Sequence, residues 1–283
     1  MIRRFGVLND QMETRDAFLY GIPYPGAFVA DENGIVVAKF FRDSYKKRDS
    51  PETLIDAALG RLELASDAPH SEGGDPEVRI TATVHGGKGT LRQGIVRQLV
   101  VHFDLDPGLH LYGEPVPPGL TSTQVEVTGP PGLVVEDPVL PPTEPLHVAS
   151  ASAELAIYPG AFDIVVPFYA DGRLASEVRP LDMESARVEV GVRYQACNRD
   201  ECFLPRTETL HLDIPLDVVD IPAISLHEGH GQRAGNYDGT PHLRRLLMRK
   251  ARAHPLGIVR FALNNLRLEA IAAWRRRRRK RRR

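Results

Sequence analysis

The chain has 283 residues, 42% hydrophobic and 26% charged, ordinary values for a folded protein and too apolar for wholesale disorder. With 24 Gly and 23 Pro it favours short strands and turns over a helical bundle, and its two cysteines exclude a disulfide scaffold or a four-cysteine zinc site. The near balance of 36 Lys and Arg against 37 Asp and Glu conceals a division: residues 241–283 hold 16 of the cations and one carboxylate, Glu269, leaving an acidic body and a basic tail.

The first residues, MIRRFGVLND, are basic, but no apolar run follows them, so they do not read as a secretory leader. No stretch approaches the ~20 apolar residues of a membrane-spanning helix. Residues 1–62 read as α/β. Apolar runs at 27–30 and 35–41 flank Asp31-Glu32-Asn33-Gly34, and Asn-Gly tolerates the positive φ of a hairpin turn. Ser50-Pro51-Glu52 predicts a helix start, with Ser50 as N-cap and Leu54, Ile55, Ala58, Leu59 and Leu62 on one apolar face. Residues 63–76 are small, polar and turn-rich and read as a linker.

Residues 77–219 predict an antiparallel β-sandwich. Apolar or alternating runs at 78–84, 98–105, 124–128, 161–168, 186–195 and 207–214 are separated by Pro/Gly clusters. The clearest alternation puts Val188, Val190, Val192 and Tyr194 on one face and charged residues on the other. Residues 220–241 read as a polar linker. Residues 242–274 read as helices broken at Pro255, and the basic run Arg275 to Arg283 is expected to be disordered by self-repulsion.

Three motifs read blandly. His227-Glu228-Gly229-His230 has the wrong spacing for a zinc helix and reads as a solvated loop. Gly86-Gly87-Lys88-Gly89-Thr90 lacks the full phosphate-loop pattern and reads as a hairpin turn. Asp104, Asp106, Glu136 and Asp137 read as solvated turn residues. No metal site and no cofactor is expected.

Cys197 and Cys202 stand in YQACNRDECFLP, between one predicted strand and the next. A hairpin end can bring two such residues within reach of a disulfide. The spacing alone leaves open a redox pair, a structural bridge, two unrelated thiols or a metal site. The longer stretch YQACNRDECFLPRTETLHLDIPL, with Leu109-His110-Leu111-Tyr112 after an Asp-Pro-Gly turn and the run at 162–168, resembles the N-terminal (alpha) domain of the thiol:disulfide interchange protein DsbD. That resemblance covers residues 77–215 and implies an immunoglobulin-like sandwich exchanging a disulfide with a thioredoxin-fold partner. It places the active pair on Cys197 and Cys202, with His110, Tyr112, Tyr194 and Gln195 supporting it. The family covers its disulfide with a loop bearing an aromatic cap; the matching stretch here, 146–158, offers Tyr158. The cysteine interval is one residue shorter than in the bacterial interchange proteins.

Residues 2–9 and 20–34 resemble the C-terminal half of a peroxiredoxin, a thioredoxin-like fold in which Pro25 would stand before a strand as a cis-proline. On this reading the chain begins part-way through that fold. No cysteine precedes Cys197, so no peroxidase activity is expected of it. The alternative to an oxidoreductase is a non-catalytic binding module tethered by its basic tail. Residues 242–283 suit an anionic membrane surface, a polyanion bound by counterion release, or a tail lying against the acidic body, whereas no base-reading motif supports specific nucleic-acid recognition. The compartment is left open: the DsbD resemblance implies the periplasm, a leaderless redoxin fusion the cytoplasm.

Overall fold

A computed structural model describes residues 4–8, 23–42, 44, 46–148, 153–218 and 240–280. Strands β1 (Gly26–Ala30) and β2 (Val36–Phe41) form the hairpin that Asn33-Gly34 predicts. Asp31 Oδ1 accepts the N–H groups of Asn33 and Ile35 at 2.9 and 2.8 Å, and Gly34 sits at φ +77°, where an L side chain would be strained. The Tyr24–Pro25 bond is trans, against expectation; the cis X-Pro bond among the described residues is Glu114–Pro115.

After the short β3 (Arg48–Asp49), Ser50 caps α1 (Pro51–Leu59) by accepting the Thr53 N–H at 3.3 Å. The helix does not bury its expected stripe: Ile55 and Leu59 are 54% and 51% exposed. Polar anchors choose the face instead. Asp56 bonds the buried His85 at 2.5 Å, and Ser50 is fully buried. β3 then runs parallel to β6 (Ile95–Leu105), and Arg42 bridges Asp49 and Glu136, so the N-terminal segment is bound to the sandwich at several points.

The segment expected as a linker holds β4 (His70–Gly74), antiparallel to β5 (Val78–His85). Its Ser-Glu-Gly-Gly composition carries no strand signal. Gly73 is required by packing, because a Cβ there would lie 2.8 Å from Leu210. β5 and β6 pair across the glycine-rich 86–90 stretch, as expected of a hairpin connection. Following β6 come β7 (His110–Tyr112), β8 (Gln124–Thr128), β9 (Leu133–Val135), β10 (Glu144–Val148), β11 (Ala153–Pro159), β12 (Ala161–Ala170), β13 (Ser185–Tyr194), β14 (Ala196–Cys197) and β15 (Arg206–Pro215).

Sheet β4-β5-β6-β12-β9 and sheet β15-β13-β8 supply the main core, giving an immunoglobulin-like antiparallel sandwich. Val188, Val190, Val192 and Tyr194 all point inward and are at most 1% exposed, as the alternation predicts. Phe103 on β6, fully buried, stacks on Phe162 with centroids 4.7 Å apart. The side chains of Asp104 and Asp106 are half-exposed, as expected of solvated residues, and pair with Arg79, though Asp104 lies within β6 rather than in a turn; Glu136 pairs with Arg42. A smaller sheet, β10-β11-β7-β14, flanks the sandwich.

The basic region forms α2 (Thr240–Ala253) and α3 (Gly257–Lys280), interrupted at Pro255 as expected. The arginine run is helical through Lys280 rather than disordered: α3 supplies a preformed end that the run continues at one bond per residue added. α2 docks on the body. Arg249 donates to the carbonyls of Glu177, Arg179 and Pro180, Lys250 pairs with Glu177, and Arg252 with Asp182. No described helix is long and apolar enough to cross a membrane. The His227–His230 motif lies outside the described residues.

Candidate functional site: the cysteine turn and its walls

Cys197 ends β14 and Cys202 follows a tight turn. Asn198 Oδ1 accepts the N–H groups of Asp200 and Glu201 at 2.8 Å each, and the Asn198 N–H returns to the Glu201 carbonyl at 2.9 Å. The chain then folds back on itself, the Phe203 N–H meeting the Ala196 carbonyl at 2.9 Å. This closure brings the two Cα atoms to 4.1 Å, and the cysteines are joined by a disulfide. The two sulfurs differ in access. Cys197 is fully buried; Cys202 is exposed, with Leu204, 84% exposed, two residues on.

β7 forms one wall. It pairs with β14 so that His110 stands opposite Cys197, and alternation puts Tyr112 on the same face as His110. The His110 and Tyr112 rings meet edge to face at 5.4 Å. The Tyr112 hydroxyl lies 3.4 Å from Cys202 Sγ and is the donor, since a disulfide sulfur carries no hydrogen. Burial pushes the Tyr112 phenol up, keeping that proton in place, and pushes the His110 imidazole down, keeping it neutral near pH 7.

Gln195 braces the turn from behind: its Oε1 accepts the Thr121 N–H at 2.9 Å and its Nε2 donates to the Phe203 carbonyl at 3.0 Å. Tyr194, expected beside the cysteines, instead points into the main core, its hydroxyl donating to Asp75 at 3.2 Å. Tyr194 ends β13 and Gln195 is the next residue, and that single step along the chain is enough to send their side chains to opposite faces.

The stretch 146–158, expected as a cap loop, contains β10 and β11, which pair as a hairpin. Tyr158 stacks on Phe162 at 4.7 Å, on the strand face opposite Leu155 and Ile157. Those two side chains, which the sequence reading passed over, form the second wall: they cluster with Tyr112 and Cys197, backed by Val116, Leu120 and Leu146. The alternation in Ala-Glu-Leu-Ala-Ile-Tyr-Pro was the signal for them. Arg193, Arg199, Asp200 and Glu201, the charges nearest in sequence, are all exposed.

Residues 88–214, both cysteines included, match the family described as thiol:disulfide interchange protein DsbD, N-terminal. Among solved structures, the N-terminal periplasmic domain of ScsB from Proteus mirabilis is similar at 16% identity and a TM-score of 0.37, over 53% of each chain. The reduced N-terminal domain of DsbD from Neisseria meningitidis is similar at 13% identity and a TM-score of 0.27, over 52% of this chain and 83% of that one. The present chain thus spans about half the length of the ScsB domain. No curated protein matches it.

Proposed function

We propose that the chain is a thiol–disulfide exchange module whose cysteine pair passes reducing equivalents to or from a thioredoxin-fold partner. The observation that carries this is the asymmetry of the bridge, Cys202 exposed and Cys197 buried in one short turn. The match of residues 88–214 supports it. A partner thiolate attacks Cys202 Sγ, the bond between Cys202 and Cys197 breaks, and Cys197 leaves with the electron pair. The partner's second thiolate then attacks its own sulfur in the mixed disulfide, departing oxidised and leaving Cys202 as a thiolate. The Tyr112 O–H, already aimed at that sulfur, strengthens as the charge develops. In the reverse direction a Cys202 thiolate opens the partner's disulfide and Cys197 closes the cycle. Exposed Leu204 and half-buried Phe203 flank the point of attack and suit an apolar partner rim.

A redox titration separates exchange from a purely structural bridge. Structural disulfides resist reduction to below about −300 mV. Cys197–Cys202 is expected to titrate at a less negative potential. A pair that stays oxidised below that value is structural, and the reading fails.

In the same reading, residues 1–62 are the trailing part of a redoxin fold, supported by the β1–β2 hairpin followed by a helix; having no cysteine, they reduce no peroxide. The tail is a tether to an anionic membrane surface, and α3 rather than α2 is the element that serves, because α2 directs Arg249, Lys250 and Arg252 to the body. On α3, Val259, Leu263, Leu266 and Trp274 lie along one stripe and are 53–63% exposed, ahead of nine consecutive cations. Each cation near anionic lipid contributes about 1 kcal/mol. Deleting residues 275–283 is therefore expected to lower partition onto phosphatidylserine-containing vesicles at least ~100-fold in low salt, with full-length binding weakening steeply as salt rises. Equal binding by the two chains would show that the run is no tether.

A further inference from the structure

His110 is the buried polar group that the exchange scheme above leaves unused. It is 7% exposed, and its Nε2 has no hydrogen-bond partner. An orphaned nitrogen at that depth is costly unless it has a task or a transient partner. Tyr112 on β7 presents its ring edge to face, Cys197 stands opposite on β14, and Pro159 stands opposite on β11. Among the described residues no charged side chain adds to the shift of its pKa, which burial alone accounts for. Desolvation is what lowers the imidazole pKa, so the ring is held as a neutral base with a free lone pair.

We infer that His110, paired across the strands with Cys197, is the proton acceptor for the Cys197 thiol in the closing half of the exchange. This rests on the exchange reading. Cys197 is fully buried, so at neutral pH direct transfer of its proton to solvent is slow. In the mixed disulfide between Cys202 and an oxidising partner, the Cys197 S–H gives its proton to the imidazole. The resulting thiolate attacks Cys202 Sγ, the Cys197–Cys202 bond forms, and the partner sulfur departs as a thiolate. The cysteines lose two electrons and the partner's disulfide gains them. The imidazolium then releases its proton, or returns it to Cys197 when the bridge is next opened. His110 acts on a reacting atom and is in this sense catalytic.

The test uses the reduced full-length chain and a chromogenic aryl disulfide. Cys202 attack releases one aryl thiolate, and closure by Cys197 releases the second, so the two steps appear as separate phases in stopped flow. Replacing His110→Phe, which keeps volume and removes both nitrogens, is expected to slow the second phase relative to the first about 100-fold near pH 7. The gap should narrow as pH rises toward the ordinary thiol pKa of about 8.5, where hydroxide removes the proton unaided. His110→Gln, which keeps polarity without basicity, should show the same pH-dependent defect, and it decides the matter if the Phe variant does not fold. A second phase with the wild-type rate and pH profile in the folded variant overturns the assignment. Release of only one aryl thiolate by the wild-type chain overturns the exchange reading, and the role of His110 with it.

Discussion

Cys197→Ser is expected to leave a chain that is captured once and not released, whereas Cys202→Ser is expected to form no covalent adduct at all. Both variants remove the same disulfide, so a purely structural role would make them alike. The difference comes from access: Cys202 is exposed beside Leu204, and Cys197 is fully buried behind Leu155 and Ile157. With a thioredoxin-fold partner carrying a disulfide, the first variant attacks through Cys202 and stops at the mixed disulfide, since no second thiol is present to resolve it. The second variant presents only a sulfur that the partner cannot reach. Non-reducing electrophoresis reads the outcome: one adduct per chain for Cys197→Ser, and none above background for Cys202→Ser. Equal yields would mean that the buried cysteine is accessible, and the assigned order of attack would be wrong.

Phe103→Ala is expected to cost about 3–5 kcal/mol. The ring is fully buried on β6, paired on both sides by β5 and β12, and stacked on Phe162, so its removal leaves a cavity in a rigid part of the sheet. Total stabilities run at about 5–15 kcal/mol, so the variant loses a large part of its margin. Leu204→Ala, on a side chain 84% exposed, is the control and should stay within about 0.5 kcal/mol. Urea midpoints distinguish these directly. A Phe103 variant within about 1 kcal/mol of wild type would place the core elsewhere.

The sandwich was legible where side-chain alternation faces one core. β13 is the plainest case, with every second residue buried, and β5, β6, β8, β12 and β15 follow the runs read from sequence. β4 was illegible because its glycines carry no hydrophobic signal: Gly73 is fitted against Leu210, and Gly74 sits at φ +94° against the Val78 carbonyl. β14 is two residues long and exists because β7 pairs with it. The hairpin β10–β11 was missed because Pro145 and the small polar residues near its turn argue for a loop, although Leu155 and Ile157 alternate as a strand should. At the site, the cysteines and their two walls differ in the same way. Cys197, Cys202, His110 and Tyr112 could be picked out from local motifs and a family resemblance. Gln195 was found too, but its action, bracing Phe203 against the 121 loop, depends on contacts across 74 residues of sequence. Tyr194 and Tyr158 went to other faces because a strand reverses direction at each residue, and no motif records that parity.

The most direct test of the exchange reading mixes the oxidised full-length chain with the reduced dithiol form of a thioredoxin-fold protein. The reaction is quenched at intervals with an alkylating agent, and each product is mapped by peptide mass spectrometry. A transient adduct whose partner sulfur is on Cys202 is expected, followed by chains alkylated at both Cys197 and Cys202. A chain that keeps its disulfide throughout, or an adduct carried on Cys197, would contradict it.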